Sequence, residues 1–381
     1  DDELAENALY ENALLLSEHR DADMIYSDED KLSEDGKRHS PFFKPDWSPD
    51  TFLSHMYTCH LGVYRTALVR EIKGFRVGFE GSQDYDLVLR LTEKTRNIHH
   101  IPKILYHWRA IHGSTALTYD SKNYAYKAGL KAISEALDRR QEGGWVENVI
   151  NYPGQYLVHF PVVGNPLISI VIPTKDHPQL LNQCLKSIFT KTTYSRFEVV
   201  VVDNGSVEEK TLTLLASWQE QQKDRLRVIR QDIPFNFSQL INEGVRQAQG
   251  ELILLLNDDV EVLTENWLEE MAGQAQRRSI GAVGAFLYYP DRTLQHAGLI
   301  LGVVGPANHA HRYARDDSPG YFGRLLIVTN YAAVTGACLM VKRQLFIDAG
   351  GLDEELAVAY NDVDFCLRLL KMGLRNVTLP Q

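Results

Sequence analysis

Short apolar runs alternate with amphipathic segments through the C-terminal half of the chain. The runs LISIVIPT (167–174), FEVVVVDNGS (197–206) and ELILLLNDDVEV (251–262) are rich in branched apolar residues and end in polar turns. Between the first two runs, apolar residues recur at the three- and four-residue spacings typical of a helix, as at Leu181 and Leu185. Buried strands that alternate with helices predict an α/β sandwich with a mostly parallel central sheet.

Polar turns close three of the predicted strands, after Thr174, after Asp203 and from Asn257 onward. In open sheets of this kind, ligands bind at the carboxyl ends of the strands. We therefore expect these turns to share one edge of the sheet and to form the functional site.

An internal repeat divides the chain. QDYDLVLRL at 83–91 matches NDVDFCLRL at 361–369, and DDELAENALYENA from Asp1 resembles DDVEVLTENWLEEMA from Asp258, which has two extra residues. The sequence therefore predicts two related modules, the first represented by its C-terminal half only.

The repeat sets three predicted domain boundaries. Residues 1–117 form the C-terminal half of the first module, residues 118–164 a helical and extended linker, and residues 165–381 a second module that is nearly complete but lacks its terminal segment.

Composition excludes several classes of protein. The 381 residues carry 40 Lys and Arg against 50 Asp and Glu, and the net charge of −10 argues against nucleic acid as a partner. The four cysteines are scattered without a CxxC motif, which argues against a disulfide scaffold or a zinc ribbon. Buried thiols in a reducing compartment are expected, which predicts a cytoplasmic protein.

No apolar stretch approaches the roughly 20 residues needed to cross a bilayer. Because the chain begins at Asp1 without an initiator Met, we expect it to be a piece of a longer protein. Any peripheral attachment to the inner face of the membrane is then expected to reside in the missing sequence.

The strongest candidate for chemistry is the acidic pair Asp258-Asp259 at the end of an apolar strand. Adjacent carboxylates repel each other unless water or a cation is close, and hard oxygen ligands suit Mg²⁺ or Mn²⁺. The alternative is a strand-end turn or a helix cap. The echo of the pair at Asp1-Asp2 favours a function.

A second candidate is Asp362, which has Asp84 in the matching position of the first module. Each starts a predicted helix and is either a general base for an attacking hydroxyl or a capping residue. Arg368 and Arg90 further along each helix either support these carboxylates or form surface ion pairs.

Two further residues carry open alternatives. Asp203 either hydrogen-bonds a base or ribose or makes an Asx turn. His107 in LYHWR is either a metal ligand or a packed structural histidine. The chain contains no P-loop, no G-x-G-x-x-G after its first strand and no G-x-S-x-G elbow, which disfavours those nucleotide and hydrolase sites.

The ordered set ISIVIPTKDHPQLLNQCLKSI, VVVDNGS, INEGVRQAQGELILLLNDDVEV, TGACLMVKR and YNDVDFCLR resembles the family 2 glycosyltransferases, particularly tandem enzymes that build bacterial surface polysaccharides such as O-antigen or capsule. The resemblance covers residues 165–381 almost end to end, whereas residues 1–117 resemble the second half of the family's pattern. It implies a GT-A type α/β/α sandwich.

The resemblance also implies roles for individual residues. In the second module these are Thr174 and Asp176 in the nucleotide pocket, Asp203 at the base or ribose, Asn242 near the ribose or diphosphate, the metal motif Asp258-Asp259 with Asp259 as direct ligand, Asp362 as catalytic base, and Gly336 and Cys338 in the acceptor loop. In the first module they are Asp1, Asp2, Asp84 and the late histidine His107, with Asp2 and His107 at the metal.

The implied activity is metal-dependent, inverting transfer of a sugar from a nucleotide-diphosphate donor to a hydroxyl of a saccharide or lipid-linked saccharide, with Mn²⁺ or Mg²⁺. Asn257 departs from the family pattern, which often has an acid there. The first module lacks the two strands that hold a nucleotide, so we expect it to bind none. Two alternatives stay open: a nucleotidyltransferase of the same sheet type, and a non-catalytic saccharide-binding or scaffold module.

Overall fold

The computed structural model describes residues 2–110 and 123–380. The chain forms two compact units. Unit 1 comprises Asp1–Val158 together with Tyr321–Ile327, and unit 2 comprises His159–Gly320 together with Val328–Gln381. None of the helices within the described ranges combines the length and the hydropathy needed to cross a bilayer.

Unit 1 begins with a strand and continues through helices and strands of both orientations. Its elements are β1 (Glu3–Leu4), α1 (Ala8–Glu18), β2 (Met24–Ser33), β3 (Arg38–Phe42), α2 (Pro49–Ser54), β4 (Gly62–Tyr64), α3 (Thr66–Glu71), α4 (Gln83–Thr92), β5 (Ile98–Ala110), α5 (Asn123–Arg140), β6 (Trp145–Asn148) and β7 (Tyr156–His159).

The sheet of unit 1 has the order β1-β5-β2-β3, and β4 pairs with β2 outside this path. Strands β2 and β5 are parallel, whereas β1, β3 and β4 join them antiparallel. The short segment Tyr321–Ile327 belongs to this unit because Phe322 stacks on Phe42, with ring centroids 4.0 Å apart.

The predicted linker is built into unit 1 as far as Val158. The helix predicted within it is confirmed as α5, which buries Ile133 and Leu137. At the helix start, the Ser82 hydroxyl donates to the Ala125 carbonyl over 2.7 Å. Because α5 has an apolar face to bury, it packs in the unit instead of spanning a gap; residues 118–122 lie outside the described part of the chain.

Unit 2 alternates strands and helices as the sequence predicts. Its elements are β8 (Ile168–Thr174), α6 (Pro178–Lys191), β9 (Phe197–Asp203), α7 (Glu209–Gln221), β10 (Leu226–Arg230), α8 (Phe237–Gln247), β11 (Leu252–Leu256), α9 (Trp267–Gln276), β12 (Ile280–Ala285), β13 (Leu287–Tyr288), β14 (Leu294–His296), β15 (Leu299–Leu301), β16 (Ala307–His309), β17 (Thr329–Tyr331), β18 (Cys338–Lys342), α10 (Arg343–Asp348), α11 (Asn361–Lys371) and β19 (Arg375–Leu379).

The central sheet of unit 2 has eight strands in the order β10-β9-β8-β11-β18-β12-β19-β17. Strands β10, β9, β8 and β11 are parallel to one another, and β12 is parallel to β19. Strand β18 is antiparallel to both of its neighbours, and β17 is antiparallel to β19. Six of the eight strands therefore run in the same direction, which confirms the predicted mostly parallel sheet, and β18 and β17 make the sheet mixed.

Helices cover both faces of this sheet. Along β8, Ile170 and Ile172 face one core with α6, α7 and α9, whereas Val171 faces the other with α8, α10 and α11. This alternation is the period of two that a strand imposes. A strand buried on both faces has no polar side, which explains the uninterrupted apolar runs in the sequence.

The two matching segments at 83–91 and 361–369 make the same local arrangement in their respective units. Arg90 of α4 binds Asp86 and donates to the carbonyls of Ile72 and Gly74, both over 2.6 Å. Arg368 of α11 likewise binds Asp364 and donates to the carbonyls of Ala349 and Gly351. We call this arrangement the arginine clamp.

The arginine clamp corrects one expectation. Neither arginine supports Asp84 or Asp362, because at i+4 each faces the carboxylate two residues further along the helix. The clamp of unit 1 is no surface pair either, since Asp86 has no exposed side-chain area.

The arginine clamp is more deeply buried in unit 1 than in unit 2. We therefore expect its loss to lower the free energy of unfolding by different amounts in the two units. In Asp86→Ala, the buried Arg90 loses its carboxylate partner and Arg76 loses the same partner, and we expect the free energy of unfolding to fall by about 3–5 kcal/mol. The matched variant Asp364→Ala removes a carboxylate that is 36% exposed, and should cost about 1 kcal/mol or less. Urea unfolding measures both; equal losses would contradict the assignment.

Candidate functional site

An acidic turn follows β11 at the carboxyl edge of the unit 2 sheet. The hydroxyl of Thr174, at the end of β8, donates to Oδ2 of Asp258 over 2.6 Å. The Nδ1 atom of His177 lies 3.8 Å from the same oxygen. The Asp258 side chain is only 16% exposed, whereas Asp259 is exposed. The turn therefore presents one anchored carboxylate and one free to reach a ligand.

The surroundings of Asp258 disfavour its charge. Burial raises the pKa of Asp258, the neighbouring charge of Asp259 adds to this, and the hydrogen bond from Thr174 together with His177 opposes it without cancelling it. A cation bound at the turn would remove this penalty.

The donor set fits Mg²⁺ or Mn²⁺ that is shared with a phosphate ligand. Such ions are held by one or two carboxylates, and water or substrate phosphates complete the shell. Within residues 2–110 and 123–380, no group of three or more His, Cys, Asp or Glu side chains could hold a metal by itself. Asp258 and Asp259 thus suit an ion whose remaining ligands are water or phosphate oxygens.

Asp362 lies in the first turn of α11, where two backbone amides hold its carboxylate. The N–H of Gly336 donates to Oδ2 and the N–H of Val363 donates to Oδ1, each over 2.8 Å. The side chain is half-buried. Asp362 therefore bonds the first turn of the helix without being its N-cap, which is Tyr360, and its carboxylate is fixed and partly accessible. The role of general base stays a prediction.

A short backbone path joins Asp362 to the acidic turn. Leu256 at the end of β11 pairs with Cys338 at the start of β18, and the N–H of Asn257 donates to the carbonyl of Ala337 over 3.1 Å. Gly336, the next residue, bonds Asp362. The structure thereby brings the two predicted acidic features to the same strand edge.

Asp203 and Asp176 are engaged within the protein. Asp203 accepts from the N–H of Ser206, three residues on, over 2.9 Å and from Arg230 over 3.0 Å, so its carboxylate holds the following loop without the two-residue bond of an Asx turn. Asp176 accepts from the N–H groups of Val207 and Glu208 ahead of α7. Together they hold the loop at 203–208 beside the end of β8.

Asn242 of α8 and Cys338 also face the protein. The amide of Asn242 bonds both the N–H and the carbonyl of Leu352, each over 2.9 Å, and it lines an open cavity of about 420 Å³ with Glu354 and Arg368. Cys338 is buried in the core as the first residue of β18.

Asp84 in unit 1 accepts from the N–H of Tyr85 over 2.8 Å, just as Asp362 does from Val363. In unit 2 the N–H of Gly336 also donates to Asp362. Among the described residues, no equivalent hydrogen bond from a loop amide reaches Asp84.

The predicted metal residues of unit 1 are also paired. His107 is buried, with Nδ1 2.5 Å from Asp30 Oδ1. Asp2 accepts from the Tyr106 hydroxyl and from the N–H of Arg109. Asp1 lies outside the described residues.

Sequence reasoning missed the three consecutive acids of β2, Asp28, Glu29 and Asp30, which are all buried. Asp28 bonds His100 and Glu29 bonds Lys44. The sequence does contain a signal for these residues. A run of acids directly after the apolar start of a strand requires buried cationic partners. The histidines His177, His296 and His309 were missed as well.

Comparison with known proteins yields a family model and close relatives. The model "Glycosyl transferase family 2" matches residues 169–348. The chain is 47% identical over its whole length to the uncharacterized protein y4gI of Sinorhizobium fredii and covers 42% of it. It is 41% identical over its whole length to the O-antigen biosynthesis protein RfbC of Myxococcus xanthus and covers 30% of it. The chain thus spans less than half the length of these relatives.

A shorter relative is covered more completely. Over 56% of the chain, the PGL/p-HBAD biosynthesis glycosyltransferase of Mycobacterium tuberculosis is 34% identical, and 88% of that protein is covered. Among solved structures, the mannosyltransferase PcManGT of Pyrobaculum calidifontis with GDP-Man and Mn²⁺ matches at a TM-score of 0.44 and 20% identity, over 58% of this chain and 57% of that one.

Because the pKa of Asp258 is raised, we expect its replacement to stabilise the metal-free protein and to weaken the binding of a cation. A carboxyl whose pKa is raised by folding destabilises the folded protein as the pH rises through its titration. At neutral pH, Asp258→Asn should therefore raise the Tm measured without metal, and the Asn can still accept from Thr174. Mn²⁺ with UDP at about 100 times its Kd should stabilise the wild type by about 2.7 kcal/mol, and the variant much less.

Asp259→Asn is the matched comparison for this experiment. Because Asp259 is exposed, its variant should lose the Mn²⁺ effect with a smaller gain in the metal-free Tm. A metal-free Asp258→Asn protein that melts below the wild type would contradict the electrostatic assignment.

Proposed function

We propose a reaction from the fact that the chain belongs to the family 2 glycosyltransferases. The chain transfers a sugar from a nucleotide-diphosphate donor to a hydroxyl of a saccharide or lipid-linked saccharide. The transfer inverts the configuration at the anomeric carbon. The relative named for O-antigen biosynthesis supports a role in building a surface polysaccharide. A lipid-linked acceptor would bring the enzyme to the cytoplasmic face of the membrane.

The observation that carries this proposal is the placement of two kinds of carboxylate at one edge of the sheet. The Asp258-Asp259 turn and Asp362 are linked by the backbone bonds of Asn257 to Ala337 and of Gly336 to Asp362. Inverting transfer needs both a cation site at the departing diphosphate and a base behind the attacking hydroxyl.

Asp259 is proposed as the direct ligand of Mn²⁺ or Mg²⁺, with Asp258 anchored behind it by Thr174. When bound, the cation supplies charge neutralisation at the departing diphosphate. The turn supplies the fixed negative charge that orients the donor.

Asp362 is proposed to take the proton from the acceptor hydroxyl as that hydroxyl attacks the anomeric carbon. The amide hydrogens of Gly336 and Val363 hold the carboxylate in one orientation, so the base does not have to be ordered when the acceptor binds. Its partial exposure leaves an approach for the hydroxyl.

The nucleotide is proposed to bind beside Thr174 and the loop at 203–208. Asp176 and Asp203 shape this pocket, since their carboxylates hold the backbone of the loop. Asn242 contributes from α8 by holding Leu352. The base and ribose would contact the surface that these bonds keep in place.

Unit 1 is proposed to be the second half of a related transferase module, with Asp84 in the position of the base and Asp2 and His107 in the positions of the metal residues. The arginine clamp supports this, because the same guanidinium bonds recur in both units. Strand order supports it as well: β5 is parallel to β2 and β4 antiparallel, as β19 and β18 are to β12.

Family membership argues against the nucleotidyltransferase alternative, and the product of the reaction distinguishes the two directly. Release of a nucleoside diphosphate supports sugar transfer, whereas release of pyrophosphate refutes it. Absence of any donor turnover would favour the non-catalytic saccharide-binding module.

Loss of the base should slow the chemical step alone. We expect Asp362→Asn to lower kcat by about two to four orders of magnitude, with donor affinity in the presence of Mn²⁺ unchanged. The control is Asp348→Asn, an exposed residue at the end of α10, which should transfer at the wild-type rate. Full activity of Asp362→Asn would refute the role of base.

The number of nucleotide-binding sites in each chain tests whether unit 2 binds a nucleotide and unit 1 does not. Isothermal titration of the whole chain with UDP or GDP and Mn²⁺ should give one site, since the strands proposed to hold the nucleotide occur in unit 2. Asp259→Ala should abolish this binding and Asp2→Ala should leave it. Two sites for each chain would contradict the proposal.

A further inference from the structure

Two histidines meet beside the proposed base, in a part of unit 2 to which no role has been assigned. His296 ends β14 and His309 ends β16. Their Nδ1 atoms lie 2.9 Å apart, and the rings are perpendicular with centroids 5.1 Å apart. His296 is completely buried and His309 is half-buried.

The loop that carries Gly336 connects this pair to the base. The N–H of Thr335 donates to Nε2 of His296 over 3.4 Å, and the next N–H along the chain, that of Gly336, donates to Asp362 over 2.8 Å. Two consecutive amides therefore hold the imidazole pair on one side and the carboxylate on the other.

These bonds determine where the imidazole protons lie. An amide N–H only donates, so Nε2 of His296 must be unprotonated, and a neutral imidazole then carries its hydrogen on Nδ1. That hydrogen lies between the two rings, so Nδ1 of His309 is the acceptor. His309 consequently carries its own hydrogen on Nε2.

Both rings are neutral in this arrangement. Burial lowers the pKa of His296 to about 3. Burial also lowers the pKa of His309, the charge of Arg312 lowers it further, and the nearby carboxylate of Asp362 opposes them. A second proton between the rings would place two N–H groups against each other over 2.9 Å.

We propose that the Nε2–H of His309 binds an oxygen of the acceptor saccharide next to the hydroxyl that Asp362 deprotonates, and that His296 is a positioning residue that fixes its tautomer. This inference rests on the proposed function. Within the described residues, no hydrogen bond occupies Nε2 of His309. A half-buried donor of fixed direction beside a base is suited to recognise a sugar hydroxyl.

Two variants of His309 test the acceptor role with the whole chain, Mn²⁺, the nucleotide sugar that it hydrolyses and a panel of p-nitrophenyl glycosides as acceptors. His309→Ala should raise the KM for the acceptor about three- to tenfold, the usual effect of one lost hydrogen bond. His309→Gln retains an N–H donor at a similar distance from the backbone, so its KM for the acceptor should stay within about twofold of the wild-type value. Donor KM and donor hydrolysis by water should not change in either.

Val303→Ala, in the exposed connection between β15 and β16, is the control for a general disturbance of this hairpin and should match the wild type. An unchanged acceptor KM in His309→Ala, or an increase in the donor KM instead, overturns the inference. A wild-type chain that turns over no nucleotide sugar refutes the proposed function itself and the acceptor role with it.

The tautomers are tested without any substrate. Long-range ¹⁵N–¹H spectra of the histidine-labelled chain should show His296 protonated on Nδ1 and His309 on Nε2. In His296→Phe, His309 should become a mixture of tautomers. A wild-type His309 protonated on Nδ1 overturns the inference, and this measurement stands even if the buried His296→Phe variant does not fold.

Discussion

The antiparallel pairing of β18 with β11 is the constraint on which the rest of the site depends. It reverses the chain direction inside an otherwise parallel region and thereby brings the start of β18 to the carboxyl end of β11. A slip of one residue would exchange the two faces of β18 and move Gly336 away from Asp362. The carbonyl of Ala337, which meets the acidic turn, and the amides of Gly336 and Thr335, which meet the base and the histidine pair, thus derive their positions from one strand register.

The strands and their common edge were predictable from sequence because β8, β9 and β11 are buried on both faces and end in polar residues. The partners of those polar residues were not. Arg230 is 27 residues from Asp203, and Leu352 is 110 residues from Asn242. Composition and spacing identify such a residue, but only the folded sheet determines whether its side chain faces a ligand or the protein.

The same limit explains the buried ionic groups. Pairing of Asp30 with His107 joins two strands that are distant in sequence, and the arginine clamps bind loops that precede their helices. The motif that reveals the repeat includes the clamp arginines, yet its i+4 spacing alone leaves open which carboxylate each one serves. Helical geometry together with burial decides this in favour of Asp86 and Asp364.

The bond from Asn257 to Ala337 has a consequence for how the acidic turn can vary. Position 257 contributes through its peptide N–H, an atom group shared by nineteen of the twenty amino acids. The side chain at position 257 therefore takes no part in joining the turn to β18. An amide side chain in place of an acid leaves this bond unchanged. Proline alone has no such hydrogen to donate and would remove this bond, while the pairing of β11 with β18 remains.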